Sequence, residues 1–172
     1  MQLTTQQLCD AYARALKNGA SHSEVESKRL FLASLKCDLG SLAPTNMKNR
    51  SKVNWMMDLL APDVETWPID ISRSDFKELS RVVEALKGAK IDTAVSLISD
   101  AIWRTVSVTA GNCNECMGEE FVYWWSPQQG KLVRVCDLCG HTPDMHGESA
   151  GLVPANRVQV VACVGGVARP EE

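Results

Sequence analysis

Up to about residue 106 the apolar positions recur at helical spacing, and the breaks between the runs carry residues that start and stop helices. In the first run Leu8, Ala11, Tyr12, Ala15 and Leu16 follow the i, i+3, i+4, i+7, i+8 pattern, with Thr4 or Thr5 to cap the start and Gly19 to end it. Ser21 and Glu24 have capping-box spacing, which predicts a second helix over residues 22–39, ahead of Gly40, burying Val25, Phe31, Leu32 and Leu35. Residues 41–49, with Pro44 and two asparagines, read as a loop. A third helix over about residues 52–60 buries Val53, Met56, Leu59 and Leu60, and Pro62 lies just past its end. Residues 63–72, which include Trp67-Pro68, read as an extended connector. A fourth helix over 74–87 aligns Phe76, Leu79, Val83 and Leu86 and stops at Gly88; a fifth, opened by Asp92, aligns Val95, Ile98, Ile102 and Val106. Five amphipathic helices can bury one another's apolar faces as a bundle.

After Thr109-Ala110-Gly111 the period changes to two. Residues 121–125 and 131–135 are rich in aromatic and β-branched side chains, and the turn at 126–130 between them predicts a hairpin. A further strand is expected at 157–164, after the polar, glycine-containing loop 140–156. The pattern therefore predicts an α+β protein: a helical domain over 1–110, followed by a small β module over 111–172 with an additional C-terminal strand.

Composition adds to this picture. The chain has 172 residues, 45% of them hydrophobic and 23% charged, the profile of a globular protein that buries a core. No basic stretch followed by an apolar run opens the sequence, and the most apolar segment, 158–167, is too short to span a bilayer and contains two glycines. Seven cysteines, four of them in two C-x2-C pairs, are the usage of a metal-binding protein in a reducing compartment, so a cytoplasmic location is expected. The net charge of −3 conceals an asymmetry: residues 1–110 hold 14 Lys/Arg and 13 Asp/Glu, whereas 111–172 hold 4 and 8, a balance of −4.

The candidate chemistry lies in that acidic module. Cys113 and Cys116 form one C-x2-C pair, Cys136 and Cys139 the other, with nineteen residues between them, the spacing of a structural zinc site. A two-residue spacer lets both thiolates of a pair turn toward one ion, and the hairpin brings the pairs together; four sulfurs then close a tetrahedron at roughly 2.3 Å from the metal. Gly118 and Gly140 follow the pairs, where a knuckle turning its amides toward sulfur needs a residue tolerant of positive φ. Two knuckles on the ends of a hairpin resemble the zinc-ribbon superfamily, over about residues 111–141, and one structural zinc ion per chain is expected. His141, Asp144 and His146 follow closely and read either as exposed loop residues or as a second or mixed metal site. Four thiolates leave no open coordination position for catalysis, and neither H-x-E before the second pair nor H-E-x-x-H occurs. Cys9, Cys37 and Cys163 lie in apolar stretches and read as buried thiols.

The resemblance implies contact with nucleic acid or with another protein, and charge separates the two. Nucleic-acid binding neutralises phosphates with Lys and Arg, yet the module is at −4 before four thiolates and one zinc ion add about −2 more. The helix pair around Asn18-Gly19-Ala20 has a spacing loosely like a helix-turn-helix, but Glu24 and Glu26 stand where a reading helix contacts DNA, so a plain helical hairpin is the better reading. The run Lys48-Asn49-Arg50-Ser51-Lys52 reads as solvated surface or as half of a salt-bridged interface. On the hairpin Phe121, Tyr123 and Trp125 project from one face and Val122 and Trp124 from the other; either all are interior or one aromatic face meets a partner. Glu119, Glu120, Tyr123, Trp124 and Trp125 are accordingly the candidate partner-binding residues. With no nucleophile–base pair or phosphate loop in the sequence, the expectation is a non-enzymatic zinc-ribbon protein that binds a protein partner, a basic one by charge. By analogy of size and charge it would be a bacterial immunity protein neutralising a toxin. The alternatives are a transcription- or RNA-associated nucleic-acid-binding protein and a hydrolase using unrecognised residues.

Overall fold

Thr4 opens the first helix, α1 (Thr5–Gly19), with a reciprocal cap: its side chain accepts from the Gln7 N–H while the Gln7 side chain accepts from the Thr4 N–H. The computed structural model describes residues 4–41, 50–116, 120–145 and 151–164. The predicted loop at 42–49 lies outside the described residues, as does most of the basic run that ends in Lys52. Helices α2 (Glu24–Gly40), α3 (Arg50–Leu60), α4 (Phe76–Leu86) and α5 (Ile91–Val106) follow, and the predicted core positions Phe31, Leu32, Leu35, Val53, Met56, Leu59, Leu60, Leu79, Leu86, Val95, Ile98, Ile102 and Val106 are buried. The α+β class holds: helices dominate the first two thirds and a small antiparallel sheet follows.

Two compact units form, one from Met1–Glu65 with Ser74–Val106, the other from Thr66–Arg73 with Ser107–Glu172. In the helical unit α1 packs along α2, and α5 meets α1, α3 and α4. Tyr12 stacks edge-on against Phe31 and its hydroxyl donates to the Leu79 carbonyl at 3.0 Å, tying α1, α2 and α4 together. The second helix starts later than its capping-box pattern suggests, because Ser21 takes a positive φ of 79° and Ser23 becomes the N-cap. Glu24 serves α4 instead: its carboxylate accepts from the Phe76 N–H at 2.6 Å, an orphan donor of that helix start, while Asp75 accepts from Glu78. Buried Lys28 completes the junction by donating to the Ser74 carbonyl at 3.1 Å.

The connector at 63–72 is not simply extended. It makes two short 3-10 turns, at Val64–Thr66 and Ile69–Ile71, with Trp67 and Ile69 buried. In the sheet unit the hairpin forms from β2 (Glu120–Ser126) and β3 (Lys131–Cys136), in the register Phe121 opposite Cys136 through Ser126 opposite Lys131. Two strands were not expected. β1 (Thr109–Asn112) and β4 (Val153–Pro154) both pair antiparallel with β2, β1 beside Glu120 and Val122 and β4 beside Trp124 and Trp125.

The C-terminal strand predicted at 157–164 is instead a helix, α6 (Arg157–Val164), packed against β3. Its β-branched valines favour a strand, but Asn156 decides the matter. The Asn156 side chain accepts from the Gln159 N–H at 3.0 Å, and the Gln159 side chain accepts from the Asn156 N–H at 2.8 Å, a capping box that starts a helix. The expected burial of three thiols also needs correction: Cys37 and Cys163 are exposed and Cys9 is half-buried, because the first two lie on the outward faces of α2 and α6. Among the described residues no helix is long and apolar enough to cross a membrane.

Candidate metal centre

The strand pairing explains how the two cysteine pairs meet. β1 and β3 both run antiparallel to β2, so their last residues arrive at its first: Asn112 lies opposite Glu120 and Cys136 opposite Phe121. Cys113 directly follows β1 and Cys136 ends β3, so both knuckles are delivered to one end of the sheet. The unexpected strand β1 thus positions the first pair.

All four Sγ atoms lie within 4.8 Å of one another. Cys113 and Cys139 are 3.9 Å apart and Cys116 and Cys136 3.3 Å, while a tetrahedron with metal–sulfur bonds of roughly 2.3 Å has sulfurs about 3.8 Å apart. The four side chains are free thiols, and their separations fit a bound ion. Cys113 and Cys136 are buried on Phe121, with Ala110 and Cys116 packed at the side, whereas Cys139 faces outward. Four cysteines, brought together, form a site able to hold a metal ion, and four sulfurs fill its tetrahedral shell.

The second knuckle has the expected backbone. Gly140 takes a φ of 71° and donates to the Cys136 carbonyl at 2.9 Å, and the Cys139 N–H points at Cys136 Sγ from 3.5 Å. Burial pushes the Cys136 thiol up, but the Cys139 and Leu138 amides and the Cys116 side chain outweigh it and bring the thiol down to about 6. Cys116, hydrogen-bonded to Cys136 and partly desolvated, is pushed up to about 12. Negative charge therefore settles first on the sulfur that the backbone amides face. A metal binding here displaces the remaining protons.

Other candidate residues fare differently. His141 packs beside the Phe121 ring and is exposed, and its carbonyl accepts from the Cys136 N–H. Asp144 is engaged by Arg134, whose Nε, terminal nitrogen and backbone N–H all donate to it at 2.8 to 2.9 Å, and these hydrogen bonds hold its carboxyl below the usual range. Among the described residues the four cysteines are the group that assembles as metal ligands; His146 lies outside them, as do Gly118 and Glu119. Glu120 pairs with Arg73 at 3.7 Å. Tyr123, Trp124 and Trp125 are half-buried along β2, Tyr123 opposite Arg134 and the tryptophans opposite β3 on one side and β4 on the other.

Two contributors had no local signature. Phe121, expected only as a hairpin aromatic, is the floor of the thiol cluster and carries the Arg134 guanidinium 5.6 Å above its ring. Arg73, from the segment between α3 and α4, reaches Asp137 inside the second knuckle at 2.6 Å. Compared with known proteins, the chain matches no family model, no curated protein and no solved structure, and the site stands on its own geometry.

Proposed function

We propose that the sheet unit is a structural zinc module through which the protein binds a protein partner, without enzymatic activity of its own. Zinc suits four thiolates in a closed tetrahedron, as does iron; the cytoplasmic thiol usage inferred from the sequence and the structural role of a filled shell favour zinc. Cys113, Cys116, Cys136 and Cys139 would hold the ion, which would fix the two knuckles together and supply no reaction chemistry.

The observation that carries the partner reading is the distribution of exposed apolar side chains. Among the described residues the large ones, Ile71, Leu138, Val153, Val158 and Val161, all belong to the sheet unit. Leu138 stands 66% exposed inside the second knuckle and Val158 76% exposed on α6. Apolar groups left in water in one unit and absent from the other mark that unit for contact. Among the described residues of the sheet unit phosphate recognition lacks comparable support, since Arg73, Arg134 and Arg157 are held by carboxylates and Lys131 reaches the Asp144 carbonyl. The acidic balance of residues 111–172 favours a basic partner, and a toxin neutralised by this chain is the narrowest form of the reading, supported by size and charge alone.

Elemental analysis of protein purified without chelator should find one zinc per chain; iron, or no metal, refutes the zinc assignment. For the partner, the tagged full chain and its Leu138→Ser and Val158→Ser variants are compared in native lysate. A protein retained by the wild type and lost from a variant with unchanged metal content supports the reading. Micromolar or tighter binding of generic DNA or RNA at physiological salt, falling steeply as salt rises, would replace it with the nucleic-acid reading.

A further inference from the structure

We propose that Arg73 is a positioning residue of the metal centre: through Asp137 it holds the second cysteine knuckle in place. This rests on the reading of the four cysteines as a metal site.

Arg73 ends the Thr66–Arg73 segment, which belongs to the sheet unit although helices precede and follow it in the chain. Its backbone N–H donates to the Ser107 carbonyl at 3.0 Å, anchoring the segment at the start of the sheet unit. The side chain is 5% exposed, and its two terminal nitrogens diverge to two carboxylates. One lies 2.6 Å from Asp137 Oδ2 and the other 3.7 Å from Glu120 Oε2, while buried Nε has no hydrogen-bond partner among the described residues. Asp137 is itself bound to Glu120 through its backbone N–H, which donates to the Glu120 carbonyl at 3.2 Å. The guanidinium thus clamps the residue between Cys136 and Cys139 to the first residue of β2, at the end of the sheet where both knuckles arrive.

Burial of a cation with one nitrogen unsatisfied is a poor way to stabilise a fold, and an apolar side chain of the same size would pack there at less cost. The geometry of the knuckle supplies the compensation. The fork fixes Asp137, which lies between Cys136 and Cys139, against Glu120, and so orients the knuckle. Groups that orient metal ligands typically govern metal affinity by about 10- to 100-fold.

The test uses the full chain and its Arg73→Met and Arg73→Lys variants, loaded with cobalt(II) for its visible tetrathiolate spectrum and with zinc in competition with a chromophoric chelator. Arg73→Met should keep the tetrathiolate spectrum and lose about 10- to 100-fold in affinity. Arg73→Lys, which keeps one contact to Asp137 without the fork, should recover part of that affinity. Wild-type affinity in Arg73→Met, or equal losses in the Met and Lys variants, would overturn the proposal. If Arg73→Met does not fold, Asp137→Asn is read in the same way: reduced affinity with the tetrathiolate spectrum retained supports the clamp, and unchanged affinity overturns it. A wild type that gives no tetrathiolate spectrum would instead defeat the metal reading itself, a result separable from any difference between variants.

Discussion

Gly19 sits inside the last turn of α1, where a Cβ would lie 2.6 Å from the Ser27 carbonyl oxygen and 2.7 Å from the Phe76 ring. In sequence it reads as a helix stop; in the structure Ala20 is the C-cap and Ser21 takes the positive φ, so Gly19 is needed for close approach of α2 and α4. Two effects compete on replacing it with alanine. Helix propensity favours alanine by up to about 1 kcal/mol, and overpacking costs about 1–3 kcal/mol, here against a backbone oxygen that cannot swing aside. The second should win: Gly19→Ala lowers the urea midpoint of the helical unit, and a raised midpoint would show that the helices separate freely. A smaller effect is expected at Asp144. Its pair with Arg134 is partly exposed, so Asp144→Ala should cost the sheet unit about 1 kcal/mol, read as a lower melting temperature of the tryptophan signal.

At the scale of elements, α6 and the hairpin depend on different devices. Eight residues rich in valine make a marginal helix, and the Asn156–Gln159 capping box compensates. Asn156→Ala should therefore cost about 1 kcal/mol and speed amide exchange at Gln159 and Val160; unchanged exchange would mean that packing on β3 suffices. On the proposed zinc reading, the hairpin depends on metal. Structural zinc contributes on the order of 10–16 kcal/mol of apparent binding energy in small peptides, comparable with the stability of a whole domain. Cys136→Ser removes one of four ligands and the sulfur toward which the knuckle amides point, so it should abolish stoichiometric metal and unfold β1, β2 and β3 together. A Cys136→Ser protein with native tryptophan ellipticity would disprove that dependence.

For the whole molecule, the two units have separate sources of stability. The helical unit has a core of large buried side chains, Tyr12, Phe31, Leu8, Leu32 and Leu35 among them, and holds none of the four clustered cysteines. Chelation should therefore lower near-ultraviolet ellipticity from Trp124 and Trp125 while the far-ultraviolet helical signal of α1 to α5 persists. Simultaneous loss of both signals would mean a single cooperative molecule. The comparison is cleanest with metal restored afterwards, when the tryptophan signal should return.

What the sequence determined by itself is what short-range chemistry encodes. Helical periodicity with Thr4 and Gly88 at its breaks located α1 to α5 to within a few residues. The turn at 126–130 located the hairpin, and two C-x2-C pairs named the four cysteines that assemble as candidate metal ligands, because each signal is complete within a few positions of the chain. Tertiary structure alone decided the rest. β1 and β4 exist because β2 offers them backbone partners, and a ladder of backbone hydrogen bonds demands little of the side chains of Thr109–Asn112 or Val153–Pro154. Glu24 matches a capping box for its own helix yet caps α4, since an orphan N–H brought near by folding competes equally well for a carboxylate. Arg73 looks like any surface cation until Asp137 and Glu120 meet it, for charge acts through distance in space and not along the chain.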